Sequence, residues 1–169
     1  MTEAEERRRV AAELDHAMRG TPWHGSSLVK ILRGVTASHA IAHPVKGAHS
    51  IWELVLHVTA WTHETTHRLR GGAPGDPADG NFPATPHRPT EPLWEAAQAR
   101  LIAAHEAVLA TIAHLESGEL DARPLVGEGG EPGANVKHRV LVHGLAQHHA
   151  YHGGQIALLR RALEAAAPP

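Results

Sequence analysis

The sequence predicts an all-α protein that folds as a helix bundle with four long helices. Four segments carry apolar residues at intervals of three and four positions, the period of a helix that buries one face. No segment alternates polar and apolar residues as a half-buried strand does. The 169 residues suggest a single domain over 1–169. Amphipathic helices of this length, with a long connection between the second and third, indicate a bundle.

The first long helix is predicted at about 3–19 and ends before Gly20. Its acidic residues precede its basic ones, which suits the helix dipole. Two short helices are expected to follow. One is capped by Ser26 or Ser27, and the other occupies 36–43, before a proline. The thin apolar stripe of the first helix consists of Val10, Leu14 and Met18.

The second long helix is predicted at about 50–70. Ser50 followed by Glu53 is a capping box, which marks its start. His63 and His67 project to its polar side and are interpreted as surface residues. Its buried face is expected to consist of Ile51, Leu54, Val55, Val58, Thr62, Thr65 and Leu69.

A loop rich in proline and glycine, 73–92, leads to the third long helix, predicted at about 91–116. Loops this long in a compact domain are often functional, and this one is a candidate for shaping a substrate entrance. His105 lies at the edge of the third helix's apolar stripe and is a candidate ligand or partner of a ligand. An irregular segment, 117–134, precedes the last helix, predicted at about 136–165.

The last helix carries two histidines inside its apolar stripe. Residues four apart on a helix lie about 5–6 Å apart at Cβ, so one ion could bridge His148 and His152. The alternative is that both are hydrogen-bonded core residues, because a buried polar group without a partner costs about 1–3 kcal/mol. His143 points away from the stripe, and His149 lies at its edge. The stripe consists of Leu141, Leu145, His148, His152, Ile156, Leu159 and Leu163.

A third ligand must come from another helix, and His57 is the inward-leaning histidine of the second one. Three histidines with one open position are typical of a catalytic metal. Zinc is the expected ion, and nickel, iron, manganese or copper are alternatives, because imidazole discriminates weakly. Gln155 and Glu64 are candidates for orienting an imidazole or a bound water.

Composition excludes several classes of function. The chain has no cysteine, which excludes disulfides and thiolate ligands and is typical of a reducing compartment. The formal charge is −2, without a basic face for phosphates, so no nucleic-acid partner is expected. The N-terminus shows no signal peptide, and no apolar run is long enough to span a membrane. A cytoplasmic protein is therefore expected.

Three segments resemble the DinB/YfiT family of metal-binding helix bundles, most closely its DinB-like branch. They are WHG at 23–25 followed by Ser27-Leu28, HSIWELVLH at 49–57, and HHAYHGGQI at 148–156, which follows the pattern H-x-x-x-H-x-G-Q. The resemblance implies an up-down-down-up bundle and frequent homodimers. It also implies a divalent metal on His57, His148 and His152.

The resemblance leaves three functions open. Some related bundles are thiol S-transferases that use bacillithiol, mycothiol or glutathione, others are described as metal-dependent hydrolases, and many have no known activity. The first expectation is transfer of a low-molecular-weight thiol to a small electrophile, because no inward carboxylate is evident as a base for hydrolysis. The alternatives are hydrolysis of a small ester or amide, with Glu64 as the base, and a non-catalytic metal-binding stress protein.

Overall fold

The computed structural model describes residues 2–123 and 135–166, and within these ranges it contains helices and no strand. The all-α prediction is confirmed. Besides one 3-10 turn at Glu119–Asp121, the helices are α1 (Glu3–Met18), α2 (Leu28–Leu32), α3 (Ala37–Ile41), α4 (Ile51–Leu69), α5 (Glu91–Ala113) and α6 (His138–Ala166).

The long helices lie close to their predicted bounds, with two differences. Helix α5 ends at Ala113 rather than at 116, although Leu115 is buried. The apolar pattern continues past the helix because the chain leaving it still packs on the core. Helix α6 begins at His138 rather than at 136. Of the predicted irregular segment 117–134, residues 124–134 lie outside the described residues.

Side-chain caps set the starts of α1 and α4. The predicted capping box of α4 is present: the Ser50 hydroxyl accepts from the Glu53 amide at 3.2 Å, and the Glu53 carboxylate accepts from the Ser50 amide at 2.6 Å. A second capping box, which the sequence analysis did not identify, joins Thr2 and Glu5 at the start of α1. Each box satisfies amides that a helix N-terminus leaves without partners.

Helices α4 and α5 run parallel. Near their starts the Trp52 and Trp94 rings lie 5.1 Å apart, and near their ends the Arg70 Nε donates to the Thr111 hydroxyl at 3.2 Å. The connection between parallel neighbours has to return along the length of the bundle, which explains the long loop predicted between them.

The other helix pairs complete an up-down-down-up bundle. Helix α1 is antiparallel to α5, because Asp15, near the end of α1, contacts His105 in the middle of α5, and Arg7, near its start, donates to the Leu115 carbonyl. Helix α6 is parallel to α1, because Glu6 and Glu13 pair in order with Arg139 and His143. It is antiparallel to α4, whose Leu54 lines a cavity with Leu159 and whose Trp61 lines one with Val140. The topology implied by the resemblance is therefore confirmed.

A polar layer divides the apolar core in two. One cluster includes Trp52, Trp94 and Ile156, and the other includes Leu14, Ile112 and Val142. Between these levels, α4, α5 and α6 each bury polar side chains, and this layer contains the candidate site. Its members are His57, Thr62, His105, His149 and His152. Within the described ranges, no helix has the length and apolar character that crossing a membrane would need.

Candidate metal centre

Three histidines from two antiparallel helices converge at the middle of the bundle. The Nε2 atom of His148 on α6 lies 3.0 Å from Nε2 of His57 on α4 and 3.0 Å from Nε2 of His152, one turn further along α6. The ligand atoms of all three lie within 4.8 Å of one another. The sequence analysis predicted these three residues, and the fold brings them together.

Hydrogen bonds on the far side of two rings determine which nitrogen faces the centre. The Nδ1–H of His57 donates to the Asn81 carbonyl at 2.6 Å. The Nδ1–H of His152 donates to Oε1 of Gln155 at 2.6 Å, with the amide oxygen turned toward the ring. A neutral imidazole carries one proton, so both Nε2 atoms present lone pairs. Both lone pairs face Nε2 of His148, and a cation among the three nitrogens would accept them.

Burial keeps the three rings neutral. Desolvation is the largest cause, and with the neighbouring His152 and His57 it lowers the pKa of His148 to about 3. Desolvation is also the main cause that lowers the pKa of His57 and of His152. Metal ligation requires neutral imidazole. The site therefore presents its nitrogens in the ligating form at neutral pH.

The spacing of the nitrogens fits a single ion. Two nitrogens that each lie about 2.0–2.1 Å from one ion at a tetrahedral angle are about 3.3 Å apart, so the observed 3.0 Å requires the rings to move apart by only about 0.3 Å. Among the described residues, the triad of His57, His148 and His152 is a group of side chains whose ligand atoms lie close enough together to hold a metal ion.

The long loop between α4 and α5 covers one side of the triad. Phe82 stacks on His57, with ring centroids 4.2 Å apart at an interplanar angle of 12°, and also on His49 at 3.8 Å. The neighbouring Asn81 accepts from His57 through its carbonyl and from Trp61 Nε1 through its side chain at 2.8 Å. The loop therefore orients one histidine of the triad, and the substrate entrance expected from the sequence stays a prediction.

Asn81 and Phe82 contact the candidate centre, and the sequence analysis identified neither. The Asn81 contact to His57 uses a backbone carbonyl, so no residue type could have signalled it. Phe82 left a signal, because it is the one phenylalanine of the chain and lies in a loop of proline, glycine and polar residues. An apolar ring in such a loop indicates a docking contact rather than a solvent-exposed turn.

The two residues proposed to assist the triad lie in different surroundings. Gln155 contacts His152, as described above. Glu64 is buried and accepts from Arg68 Nε at 2.8 Å and from the Gly75 amide at 3.2 Å. Its carboxylate therefore connects α4 to the loop, and its charge is paired with that of Arg68.

His105 and His149 form a second buried pair beside the triad. His105 contacts the Asp15 carboxylate at 3.0 Å, and His149 contacts the Thr62 hydroxyl at 3.2 Å. Their ring centroids lie 6.1 Å apart. Neither belongs to the converging group of the triad. His63 and His67 are exposed, as predicted.

The expected position of His149 was wrong: it is fully buried rather than at the edge of a stripe. The buried face of α6 is shifted by about one residue position relative to the face that the apolar pattern predicted. Small residues such as Ala146 and Gly153 lie on this face and give little hydrophobic signal. They let other helices approach closely, since a Cβ at Gly153 would lie 3.5 Å from the Ile31 Cδ1 atom of α2.

Comparison with known proteins identifies one family. A family model described as the DinB superfamily matches residues 23–156, which is most of the chain and includes all three histidines of the triad. No curated protein and no solved structure matches the chain.

Proposed function

Because this chain belongs to the DinB superfamily and its three histidines could hold a metal ion, we propose that it is a metal-dependent transferase. It joins a low-molecular-weight thiol to a small electrophile. In the reaction, a sulfur–carbon bond forms, the bond from carbon to the leaving group breaks, and the thiol proton and the leaving group go to solvent. Zinc is the proposed ion, with nickel, iron, manganese and copper as alternatives that imidazole also accepts.

The observation that supports this proposal most strongly is the uncharged ligand set. A divalent ion held by neutral imidazoles alone keeps its full positive charge and therefore strongly lowers the pKa of a thiol that it binds. His57, His148 and His152 hold the ion, and Asn81 and Gln155 fix the rings of His57 and His152 so that their lone pairs face it. The chain has no cysteine, so the thiol must be a separate substrate.

The surroundings of Glu64 favour transfer over hydrolysis. Hydrolysis by a bound water is usually assisted by a general base within hydrogen-bonding reach, and Glu64 was the candidate for that role. The contact with Arg68 at 2.8 Å occupies an oxygen that a base would use. Hydrolysis of a small ester or amide, and metal binding without catalysis, are the alternatives that the experiment below separates from transfer.

Cobalt substitution tests the proposal. Cobalt-loaded protein is expected to develop an intense sulfur-to-metal charge-transfer band when bacillithiol or glutathione is added. Any such band must come from the added thiol, because the protein has no cysteine. The same protein should accelerate conjugation of the thiol to a reactive electrophile. His152→Ala should abolish both effects, whereas the exposed His63→Ala should retain them.

Two results would replace the proposal. If thiols leave the cobalt spectrum unchanged, and if esters or amides are hydrolysed at a rate that rises with pH near 7, the range of a metal-activated water, the protein is a hydrolase. Failure of both reactions across a broad substrate panel establishes a protein that binds metal without catalysis.

A further inference from the structure

We propose that a cavity between α4 and α6 binds an uncharged apolar arm of the electrophilic substrate, a proposal that rests on the proposed transferase function. This α4–α6 cavity has a volume of about 280 Å³. Its walls are mainly apolar, and the residues that carry the argument are Trp61, Arg68, Leu141, Gly144, Leu145 and His148.

The cavity and the candidate metal centre share one residue, His148. This residue lines the cavity, and its Nε2 atom belongs to the converging triad. A larger cavity, about 760 Å³, lies around His138 and contains no residue of the triad among those lining it. The α4–α6 cavity is therefore the better place for a part of the substrate that must lie beside the reacting atoms.

A glycine in the middle of α6 keeps this cavity open. Glycine in a helix interior is destabilising relative to alanine, so Gly144 needs a local reason. Close packing is not that reason, because a Cβ built at Gly144 would meet no atom within 4 Å. Gly144 lines the cavity instead, and a side chain at this position would project into space that a ligand can use.

The polar groups at the cavity wall already have partners. Arg68 pairs with Glu64 at 2.8 Å, donates to the Gly75 carbonyl at 2.7 Å, and lies 5.8 Å from the centroid of the Trp61 ring. Trp61 in turn donates to Asn81. The Arg68 charge is compensated by the Glu64 carboxylate, so the cavity has no uncompensated charge that would favour an ionic ligand. Its apolar walls favour an uncharged group.

The volume sets the size of the arm. An apolar cavity of about 150 Å³ accommodates benzene. The observed 280 Å³ is therefore large enough for a phenyl ring with a short alkyl substituent. The substrate class that follows is an electrophile with an aryl or compact alkyl group on one side of its reactive carbon.

Nuclear magnetic resonance of the metal-free protein tests the cavity without relying on catalysis. Ethylbenzene is the probe, and the Trp61 indole N–H is the reporter, assigned by its loss in Trp61→Phe. Addition of ethylbenzene should shift this signal in a saturable manner. Gly144→Leu fills the cavity from α6 and should weaken the binding by at least about tenfold. A tenfold change in Kd corresponds to the free energy of burying most of a phenyl ring.

Gly154→Leu is the matched control. Gly154 also lies inside α6, is exposed as Gly144 is, and a Cβ there would meet no atom within 4 Å, but it does not line the α4–α6 cavity. This variant should bind ethylbenzene as the wild type does. Gly144→Ala provides a milder change with an intermediate effect, and far-ultraviolet circular dichroism verifies that each variant is folded.

The outcomes separate this inference from the transferase proposal. If ethylbenzene binds and Gly144→Leu blocks it while thiols leave the cobalt spectrum unchanged, the apolar site stands and the transferase proposal fails. The inference itself is overturned if ethylbenzene leaves the Trp61 signal unchanged, or if Gly144→Leu and Gly154→Leu bind it equally. In the metal-loaded enzyme, Gly144→Leu should raise KM for a benzyl electrophile and leave KM for a methyl electrophile unchanged.

Discussion

The three histidines of the candidate centre are held in different ways. His57 and His152 each have a hydrogen-bond partner at Nδ1, whereas the buried Nδ1 of His148 has none. The His148 ring is therefore positioned by packing between the helices and by the nitrogens that surround its Nε2 atom. A bound ion would contact the His148 Nε2 atom and add a second constraint on this ring, while its Nδ1 would keep no polar partner.

Alanine substitution at each of the three positions is expected to reduce metal content strongly from about one divalent ion per chain, because removing one of three ligands leaves two. His57→Ala, His148→Ala and His152→Ala should all show this loss in elemental analysis of purified protein. His63→Ala and His67→Ala are matched controls on α4, since both side chains are exposed. Equal losses in both groups would refute the assignment of the ligands.

Several of these residues could be assigned from sequence because helical spacing is local. Four-residue spacing and position on an apolar stripe were sufficient to pair His148 with His152 and to select His57. Local spacing could not place His149 at the centre of the buried face, because that depends on which neighbours pack against α6. It also could not assign Glu64, whose partner Gly75 lies in a loop without regular structure.

Helix starts are the elements that the sequence predicted most accurately. The capping box of α4 places His57 two turns inside the helix, so the register of the site depends on it. Ser50 and Ser27 both occupy N-cap positions, but the Ser27 side chain makes no capping hydrogen bond and its buried Oγ has no partner. The two serines therefore form a matched pair for measuring the contribution of the cap.

Ser50→Ala is expected to lower the free energy of unfolding by about 1 kcal/mol, the usual cost of losing an N-cap side chain. Ser27→Ala should leave it unchanged or raise it, because the substitution removes a buried hydroxyl that has no hydrogen-bond partner. Urea denaturation followed by circular dichroism measures both. If Ser27→Ala lowered the free energy of unfolding as much as Ser50→Ala, the capping hydrogen bond would not be the cause of the loss at Ser50.

The fold as a whole responds to pH through its polar layer. Burial lowers the pKa of His105 and His149, and that of His148 to about 3, from an ordinary value of 6.5. As the pH falls below about 6.5, the unfolded chain binds protons that the folded protein does not. These groups therefore contribute stability that is complete above the unfolded pKa and is lost as the pH falls toward 3.

Metal-free protein is accordingly expected to lose free energy of unfolding between about pH 6.5 and pH 4, by up to about 1.4 kcal/mol per pH unit for each such histidine. Urea unfolding at a series of pH values measures this slope. His67→Ala should not alter it, because that side chain is exposed. A stability that is constant across this range would contradict the burial of neutral histidines.

The surface of the bundle carries apolar side chains that suggest self-association, and we propose that the protein is a homodimer. Trp23 is fully exposed, and Tyr151 and Leu158, two turns apart on α6, are 65% and 64% exposed. Light scattering at micromolar concentration should give twice the chain mass of 18.1 kDa. Replacing Tyr151 and Leu158 together by glutamate should shift the mass toward the monomer. A mass of 18.1 kDa for the wild type at high concentration would reject the dimer.

Periodicity and caps were sufficient for the number of long helices, their approximate bounds and the long connection after α4, because each of these depends on residues within a few positions of one another. They also marked His148 and His152 as a pair and His57 as the inward-leaning histidine of the second helix, and the full triad came from the resemblance to the DinB/YfiT family. The contact of Asn81 with His57, the pairing of Glu64 with Arg68 and Gly75, the burial of His149 and the cavity at Gly144 depend on the packing of segments distant in sequence. A loop carbonyl or an empty volume leaves no mark on the residue types that surround it, so these features follow from the arrangement of the helices in three dimensions.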